Sequence, residues 1–232
     1  MLRFIPRTLR RATRAAHGVA GDASLSAPPK TRGTGPMRLG IFRGDGTGPE
    51  VTEEALKVLS AVAKMDGIEY TTAELPFGSQ RYLDTGVIIT PEEIEDLRAN
   101  YDCVLMGAIG DPRCPPGVIE KGILLSLRFQ LDQYINLRPV HLFPGVSTPL
   151  KGKGPEHISF DIVRENTEDL YCGNGGILRK GTPHEVATQE MVATRYGVER
   201  VVRFAYDFAR QKKEAGLGRG HLTHVNKTNV LT

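Results

Sequence analysis

The chain has 232 residues, of which 40% are hydrophobic and 25% are charged. These proportions are typical of globular proteins that bury one sizeable core or two modest ones, and they argue against general disorder. Every apolar run is broken within a few residues by a charge, Gly or Pro, so no stretch is long enough to cross a bilayer. We therefore expect no membrane as a partner.

The formal net charge of +3 is unevenly distributed along the chain. Residues 1–36 hold seven basic side chains and one acidic side chain, whereas the remainder holds 23 basic and 26 acidic ones. The basic isoelectric point thus comes from the leader and does not indicate a nucleic-acid partner. The Arg-rich start suits a disordered transit peptide for an organelle matrix, while its Pro/Gly/Ser-rich end equally suits upstream sequence before a true start at Met37.

Three cysteines, Cys103, Cys114 and Cys172, are odd in number and widely spaced. Without a CxxC pair they specify neither a disulfide framework nor a zinc site. This pattern favours a reducing compartment, and the cytoplasm is the predicted location unless residues 1–36 are a transit peptide.

From Met37 onward, short β-type runs alternate with helical patterns, which is typical of an α/β fold with parallel strands. Strands are predicted at residues 38–43, 68–73, 103–106, 136–143, 157–164 and 222–226, and the run at 103–106 is predicted to be buried. A first helix begins at Pro49, and its apolar stripe should pack on a sheet; the stripe comprises Val51, Ala55, Val58, Leu59, Val62 and Met65. Thr90 and Glu93 form a predicted capping box for a short helix that ends before Tyr101. Further helices are predicted over residues 120–133 and around 198–209.

A glycine-rich turn, residues 44–48 (GDGTG), connects the first strand to the first helix. Backbone N–H groups in such a turn can approach a ligand. However, Pro49 stands where the dinucleotide fingerprint requires a third glycine, and no phosphate-binding GxxxxGK[ST] motif occurs. A tight structural turn is an equally good interpretation.

Three arginines, Arg128, Arg138 and Arg164, each end an apolar run. A guanidinium is seldom buried without an anionic partner, and its planar fork suits a carboxylate. The three are either separate structural ion pairs or, if folding brings them together, a site for a substrate with two carboxylates. Tyr171 follows a polar run and could donate a proton, and Lys227 follows a predicted strand end where burial could lower its pKa.

His221 and His224 have HxxH spacing but lack a third ligand nearby, so we interpret them as structural or surface residues.

Five segments stand in the order found in the isocitrate/isopropylmalate dehydrogenase family, and residues from Met37 to Thr232 resemble that family. They are residues 44–50 (GDGTGPE), 125–128 (LSLR), 136–139 (NLRP), 163–168 (VRENTE) and 226–231 (NKTNVL). Within the family the chain is most similar to the bacterial type that acts on 3-isopropylmalate, because Ile123, Leu124 and Leu125 form an apolar wall suited to an isopropyl group. Burying that group contributes roughly 2 kcal/mol.

The resemblance implies a two-domain fold with sheets and flanking helices, truncated at the C-terminus. Residues 37–135 would be the first part of a cofactor-side domain. Residues 136–232 would be the first part of a substrate and dimerisation domain, with an arm at about 171–194 that pairs across a two-fold homodimer.

The resemblance also implies the role of each site residue. Arg128, Arg138 and Arg164 would bind the carboxylates of a 2-hydroxy dicarboxylic acid, and Leu124 and Leu125 its side chain. Tyr171 would protonate the enol left by decarboxylation, and Lys227 from the partner subunit would help to deprotonate the C2 hydroxyl. Glu120 and Asn229 would lie near the nicotinamide end of NAD. The reaction would be oxidative decarboxylation of 3-isopropylmalate to 4-methyl-2-oxopentanoate in leucine biosynthesis, with Mg or Mn.

The family's metal-binding aspartates lie downstream of the Lys227 motif, so we expect no metal ligands in this chain and doubt its activity alone. Two alternatives remain. One is a related decarboxylating dehydrogenase for tartrate or D-malate, and the other is a non-catalytic fragment that dimerises or binds a ligand.

Overall fold

The computed structural model describes residues 35–226 and 229–230. The predicted leader falls almost wholly on residues 1–34, which lie outside the described residues, as does Lys227. The described residues divide into two compact units, 35–134 and 135–226 with 229–230. Both units combine helices with strands, so the predicted α/β class is confirmed.

The first unit is built on a parallel sheet of three strands. β1 (Met37–Phe42) lies in the centre, β2 (Tyr70–Glu74) pairs with one edge and β3 (Cys103–Met106) with the other. The last four residues of β1 are buried, because this strand has neighbours on both sides. The parallel pairing agrees with the prediction from the alternating strand and helix patterns.

Three helices connect these strands, and one of them was not predicted. α1 (Gly48–Asp66) follows β1, and α3 (Pro91–Asn100) precedes β3. The predicted capping box of α3 is confirmed: Thr90 accepts a hydrogen bond from the Glu93 amide, and the Glu93 carboxylate accepts one from the Thr90 amide. The helix that sequence reasoning missed is α2 (Ser79–Thr85), whose seven residues are too few to display a helical apolar period.

The helix predicted over residues 120–133 exists, but it consists of three consecutive segments. α4 (Val118–Glu120) leads into a π-helical turn (Lys121–Leu125), and α5 (Ser126–Gln130) completes the run. Single π turns inside helices are rare and occur often at functional sites. This turn falls on the residues that the sequence analysis proposed as an apolar wall.

The core of the first unit lies where this broken helix, α3 and the loop after β2 meet the end of β1. Phe42 is fully buried and contacts Phe77 edge-on, with ring centroids 5.8 Å apart. The remaining buried members of the cluster are apolar as well: Leu75, Ile94, Leu97, Cys114, Ile119, Ile123 and Leu127. This packing fixes the loops that follow the three strands.

Two burial predictions for this unit are wrong. The apolar stripe of α1 does not face the sheet along its full length, since Val51, Val58 and Met65 are 52%, 61% and 83% exposed, whereas Thr52 and Ala63 are buried. The strand β3 is predicted correctly in extent, but its first and last residues are exposed. Both misses share a cause: β3 is an edge strand of the described sheet, and no described element covers that stripe of α1.

The second unit contains two antiparallel ribbons and one long helix. β4 (Ile135–His141) pairs with β5 (Ser159–Glu165), and a 3₁₀ turn (Asp169–Cys172) follows. β6 (Gly175–Leu178) and β7 (Val186–Gln189) then form a hairpin in which every residue is exposed. This hairpin occupies the middle of the segment that resembles the family's arm.

α6 (Arg195–Glu214) packs against β5 of the same unit. Ala205 is buried, and Lys212 pairs with Asp161 of β5 at 2.5 Å. Because side chains alternate along a strand, Asp161, Val163 and Glu165 share the face that contacts α6. The opposite face of the β4–β5 ribbon is left open in the described unit, and Ile162 there is 46% exposed.

The strand predicted at residues 222–226 is wrong. These residues take no regular structure, and Val225 is 88% exposed. A strand forms only beside a hydrogen-bonded neighbour, and none of the three described sheets includes this segment. Among the described residues, no helix is both long enough and apolar enough to span a membrane.

Candidate functional site

Two of the predicted arginines lie on the open face of the β4–β5 ribbon. Asn136 stands directly opposite Arg164, and Arg138 is two residues further along β4, so all three side chains project from the same face. Diagonal neighbours in such a ladder lie about 7–8 Å apart, which suits two guanidinium groups that share one small dianion. Arg138 Nε donates to the Asn136 side-chain oxygen at 3.0 Å. The face therefore carries two guanidinium groups beside one amide side chain.

Tyr171 joins this arginine pair from the 3₁₀ turn. The Arg164 guanidinium lies over the Tyr171 ring, with Cζ 4.8 Å from the ring centroid. Such a contact contributes about 0.5–1 kcal/mol at exposed sites and fixes the ring relative to the cation. Tyr171 remains 42% exposed, so its hydroxyl can meet a ligand on the same face. Three of the residues predicted as site residues are thus brought together.

A hydrogen-bonded loop holds Tyr171 near the ribbon. Asp169 adopts a φ of +68°, a left-handed conformation that Asp tolerates better than most residues. This turn follows a loop in which the Glu165 carboxylate accepts bonds from the Thr167 amide at 2.9 Å and the Glu168 amide at 2.8 Å. Burial tends to raise the pKa of Glu165, but a hydrogen bond from the Thr167 hydroxyl at 2.6 Å, together with these amide bonds, outweighs burial and holds the pKa below its usual value. The carboxylate thus stays charged and keeps the loop folded.

The same loop is tied to the start of α6. Glu168 accepts a bond from the Thr194 amide at 2.8 Å and another from the Thr194 hydroxyl. Thr194 in turn caps α6 by accepting from the Gly197 amide at 3.0 Å. A Cβ at Gly197 would lie 2.3 Å from the Glu168 Cδ, so only glycine allows this approach. On the next turn of α6, Arg200 donates to the Thr167 hydroxyl at 2.7 Å.

The remaining predicted substrate residues belong to the first unit. Arg128 is half-buried in α5, and its grouping with the other two arginines stays a prediction. Leu124 and Leu125 are half-buried in and at the end of the π turn, so each presents some apolar surface. Ile123, which the sequence analysis placed in the same wall, is completely buried in the core. The prediction for Ile123 is wrong, because the π turn directs its side chain to the core cluster rather than to solvent.

The glycine turn after β1 packs against protein backbone instead of forming an open cradle. Gly44 has a φ of +78°, and a Cβ there would lie 1.9 Å from the Ala108 carbonyl oxygen. The Asp45 amide donates to that same oxygen at 2.7 Å. This geometry supports the interpretation of the motif as a tight structural turn that joins the ends of β1 and β3.

A cavity of about 470 Å³ lies further along the chain, beyond the end of β3. The loop from Gly110 to Gly117 forms most of its wall, and Ile119 and Glu120 complete it. The volume falls within the range of small-molecule sites. Glu120, the residue predicted to approach the nicotinamide ribose, thus borders a cavity, and its carboxylate is an acceptor for ligand hydroxyls.

Asp111 in the wall of this cavity forms an ion pair with Arg113. Arg113 donates to Asp111 from Nε at 3.0 Å and from Nη2 at 2.7 Å. These side-chain bonds, with a further one from the Arg113 amide, lower the pKa of Asp111 to about 2. Asp111 therefore stays ionised at any physiological pH and cannot act there as a proton donor.

The other predicted residues make few contacts. Asn229 is exposed in a turn, and its proposed place near the cofactor stays a prediction. His221 and His224 are also exposed, and His224 Nδ1 lies 3.1 Å from the Asn226 side-chain nitrogen. In the described ranges, no group of three or more His, Cys, Asp or Glu side chains is placed to hold a metal ion.

Sequence reasoning missed several polar residues that shape these surfaces. Asn166 is 8% exposed and accepts a bond from the Asn136 side chain at 3.2 Å, and that Asn136 in turn accepts from Arg138 Nε at 3.0 Å. Asp45 and Glu168 likewise bind segments distant in sequence. In the sequence, these residues are marked only by their position in motifs beside a strand end. That position does not reveal which distant residue each of them binds.

Comparisons with known proteins identify the family. The isocitrate/isopropylmalate dehydrogenase family matches residues 38–232. A 3-isopropylmalate dehydrogenase of Thermobifida fusca is 52% identical over 196 residues, which cover 84% of this chain and 54% of that protein. The 3-isopropylmalate dehydrogenase of Corynebacterium diphtheriae is also 52% identical over the same shares. This chain thus spans about half the length of the curated relatives it matches.

Structural comparison agrees. The crystal structure of isocitrate dehydrogenase from Methylococcus capsulatus matches with a TM-score of 0.64 at 28% identity, over 76% of this chain and 48% of that one. The motif order, the fold and the family match therefore lead to one conclusion: this chain belongs to the isocitrate/isopropylmalate dehydrogenase family.

Proposed function

We propose that this chain supplies substrate-binding and catalytic residues for the NAD-dependent oxidative decarboxylation of 3-isopropylmalate to 4-methyl-2-oxopentanoate, a step of leucine biosynthesis. The observation that carries the proposal is the open ribbon face, on which Arg138 and Arg164 lie together with Tyr171 against the Arg164 guanidinium. We further propose that the protein works in the cytoplasm as a homodimer.

The arginine pair provides the affinity for a dicarboxylate. Each guanidinium can bind a carboxylate through two parallel N–H···O bonds, and bonds between charged groups contribute about 1.5–3 kcal/mol each. Two like charges on one face also repel each other, and a bound dianion relieves that repulsion. Arg128 is proposed as the third carboxylate ligand. The surface therefore favours a substrate with two negative charges over a monocarboxylate.

The leucines beside Arg128 are proposed to select among hydroxy dicarboxylates. An isopropyl group against Leu124 and Leu125 removes apolar area from water, which contributes roughly 2 kcal/mol of preference over a substrate without it. The names of the relatives from Thermobifida fusca and Corynebacterium diphtheriae support this choice. Oxidation of D-malate or tartrate is the alternative, because these acids have the same two carboxylates and no isopropyl group.

The cavity beside Glu120 is the proposed place for the nicotinamide ribose, with Asn229 also near that end of the cofactor. The fit rests on its volume of about 470 Å³ and on a carboxylate that can accept from ribose hydroxyls. NAD, when bound, accepts the hydride that leaves C2 of the substrate. The described residues do not fit Mg or Mn, because they offer no group of three or more acidic, histidine or cysteine side chains placed to hold a metal ion.

Proton transfers are assigned to two side chains. Lys227, which we propose reaches the site of the neighbouring subunit, takes the proton of the C2 hydroxyl as the hydride departs. The resulting β-keto acid loses carbon dioxide and leaves an enol, and the Tyr171 hydroxyl donates a proton to its carbon. Arg164 holds the Tyr171 ring at the edge of the arginine pair, so the phenol is near the carboxylates that these arginines bind.

The β6–β7 hairpin supports the proposed homodimer. Its apolar side chains Ile177, Leu178 and Val186 are 53%, 63% and 49% exposed, although burial would be favourable for each. Pairing with the same hairpin of a second copy would cover them across a two-fold axis. A change of Ile177→Glu should shift the mass measured by light scattering from dimer to monomer, and an unchanged mass would refute this assignment.

The test of the proposed function is turnover by the 232-residue chain with NAD, in the presence and in the absence of Mg²⁺, followed by absorbance of NADH. We expect kcat/KM for 3-isopropylmalate to exceed that for D-malate by about tenfold or more, the ratio that roughly 2 kcal/mol provides. Arg164→Gln should abolish the activity, whereas Arg203→Gln on the exposed side of α6 should not. A preference for D-malate would support the alternative, and no turnover of either acid would leave the non-catalytic fragment as the better account.

A further inference from the structure

Three loops of the first unit meet at the side chain of Asp45. Its Oδ1 accepts a hydrogen bond from the Ser79 amide at 2.8 Å, and its Oδ2 accepts from the Ser79 hydroxyl at 2.7 Å and from the Gly110 amide at 3.0 Å. Ser79 begins α2 after β2, and Gly110 follows β3. One carboxylate therefore joins the loops that follow all three strands of the sheet.

This junction is packed rather than solvated. Ser79 is completely buried, and Asp45 is half-buried. The Asp45 backbone amide adds a fourth connection, since it donates to the Ala108 carbonyl at 2.7 Å. The side chain and the backbone of Asp45 thus hold the segment 108–110 by hydrogen bonds at both of its ends.

The segment 108–110, which Asp45 holds, leads into the cavity wall. Gly110 is the first residue that lines the 470 Å³ cavity, and the wall continues to Gly117. Asp45 itself does not line the cavity, so it acts on a ligand only through the loop. We infer that Asp45 is a positioning residue that holds the Gly110–Gly117 loop in the shape that receives the nicotinamide ribose of the dinucleotide. This inference rests on the proposed function of the cavity.

The chemistry of the junction requires a carboxylate and not merely a side chain of its size. All three groups that face Asp45 donate, and a carboxylate accepts at both oxygens. In Asp45→Asn one oxygen is replaced by an NH₂ group. This group is a hydrogen-bond donor and would face the donors of Ser79 or Gly110. At least one bond is then lost, and a charged hydrogen bond of this kind corresponds to about tenfold or more in a local opening equilibrium.

The test compares residue-resolved amide hydrogen exchange in the 232-residue chain and in Asp45→Asn, followed by titration with NAD. We expect the Gly110 amide to exchange about tenfold faster in the variant, with the amides of Leu39 and Ile41 in β1 unchanged. The affinity for NAD should fall in parallel. Asp96→Asn is the matched control, because Asp96 accepts only a local bond from Asn100 on an exposed helix face, and it should change neither quantity.

Ser79→Ala gives a second, milder variant that keeps the charge and both amide bonds. It should accelerate amide exchange of Gly110 by less than Asp45→Asn does. If Asp45→Asn does not fold, Ser79→Ala still tests whether the Asp45 junction holds the loop. Unchanged Gly110 exchange in both variants would overturn the inference, as would an equal increase in the β1 amides. If the titration with NAD changes no NMR chemical shift of residues 110–120 in the unmodified chain, the proposed cofactor site is overturned instead. That outcome needs no variant.

Discussion

Replacement of Gly44 by alanine should destabilise the protein far more than the same change at Gly46, two residues away in the same turn. Both glycines have positive φ, +78° and +57°, so alanine is disfavoured at both. Their surroundings differ. A Cβ at Gly44 would lie 1.9 Å from the Ala108 oxygen, whereas a Cβ at Gly46 would meet nothing within 4 Å.

The magnitudes follow from this difference. A left-handed alanine costs about 1–2 kcal/mol, and reduced freedom of the unfolded chain offsets about 0.4–1 kcal/mol, so Gly46→Ala should cost about 1 kcal/mol. In Gly44→Ala the two segments must also separate by about 1.1 Å, from 1.9 Å to the 3.0 Å below which real contacts essentially never occur. The Asp45–Ala108 bond of 2.7 Å would then be broken, which adds about 1–3 kcal/mol.

Thermal unfolding followed by circular dichroism measures the contrast. For a chain of this size, 1 kcal/mol shifts Tm by about 2–4 °C. We expect a fall of about 2–4 °C for Gly46→Ala and of about 4–16 °C for Gly44→Ala, whose total cost is about 2–4 kcal/mol. Equal shifts would refute the conclusion that the absence of a side chain at Gly44 is what allows backbone contact between the ends of β1 and β3.

Three further predictions concern other contacts. The pKa of the Asp111 carboxyl, measured by NMR, should be about 2 and should return towards 3.8 in Arg113→Ala. Because the pKa is lowered in the folded state, the contribution of this group to stability is present above pH 3.8 and is lost as the pH falls towards 2. A titration midpoint near 3.8 in the unmodified chain would contradict the ion pair. Gly197→Ala should push Glu168 away from the start of α6 and cost about 1–3 kcal/mol in urea unfolding, and a neutral result would contradict the 2.3 Å approach. Ile123→Ala should cost about 2–5 kcal/mol in the same assay, since the side chain is fully buried, and a loss below about 1 kcal/mol would place Ile123 outside the core.

Local signals in the sequence predicted much of the fold. The Thr90 capping box gave the start of α3, because the groups that cap a helix are close in sequence to its first turn. The parallel sheet followed from the alternation of strand and helix patterns. By contrast, the strand at 222–226 depended on a neighbour that sequence does not specify, and the exposure of Val58 depended on what covers α1.

The site was predictable to a different extent in each unit. Arg138 and Arg164 were found because each ends an apolar run, and the strand register then placed them on one face. The contact of Tyr171 with Arg164 required the tight loop after β5, which no periodic pattern encodes. Ile123 was misplaced because a π turn changes which side chain faces the core, and the apolar run itself gives no sign of that turn.

We propose that the open face of the β4–β5 ribbon binds a hydroxy dicarboxylate. The most direct test of this binding is NMR of the arginine Nε–H groups and the tyrosine rings during titration with 3-isopropylmalate. We predict saturable chemical-shift changes of Arg138, Arg164 and Tyr171 in the unmodified chain, and loss of the changes at Arg138 and Tyr171 in Arg164→Gln. Shifts confined to exposed arginines of α6 such as Arg203, rising without saturation and suppressed by salt, would contradict the claim.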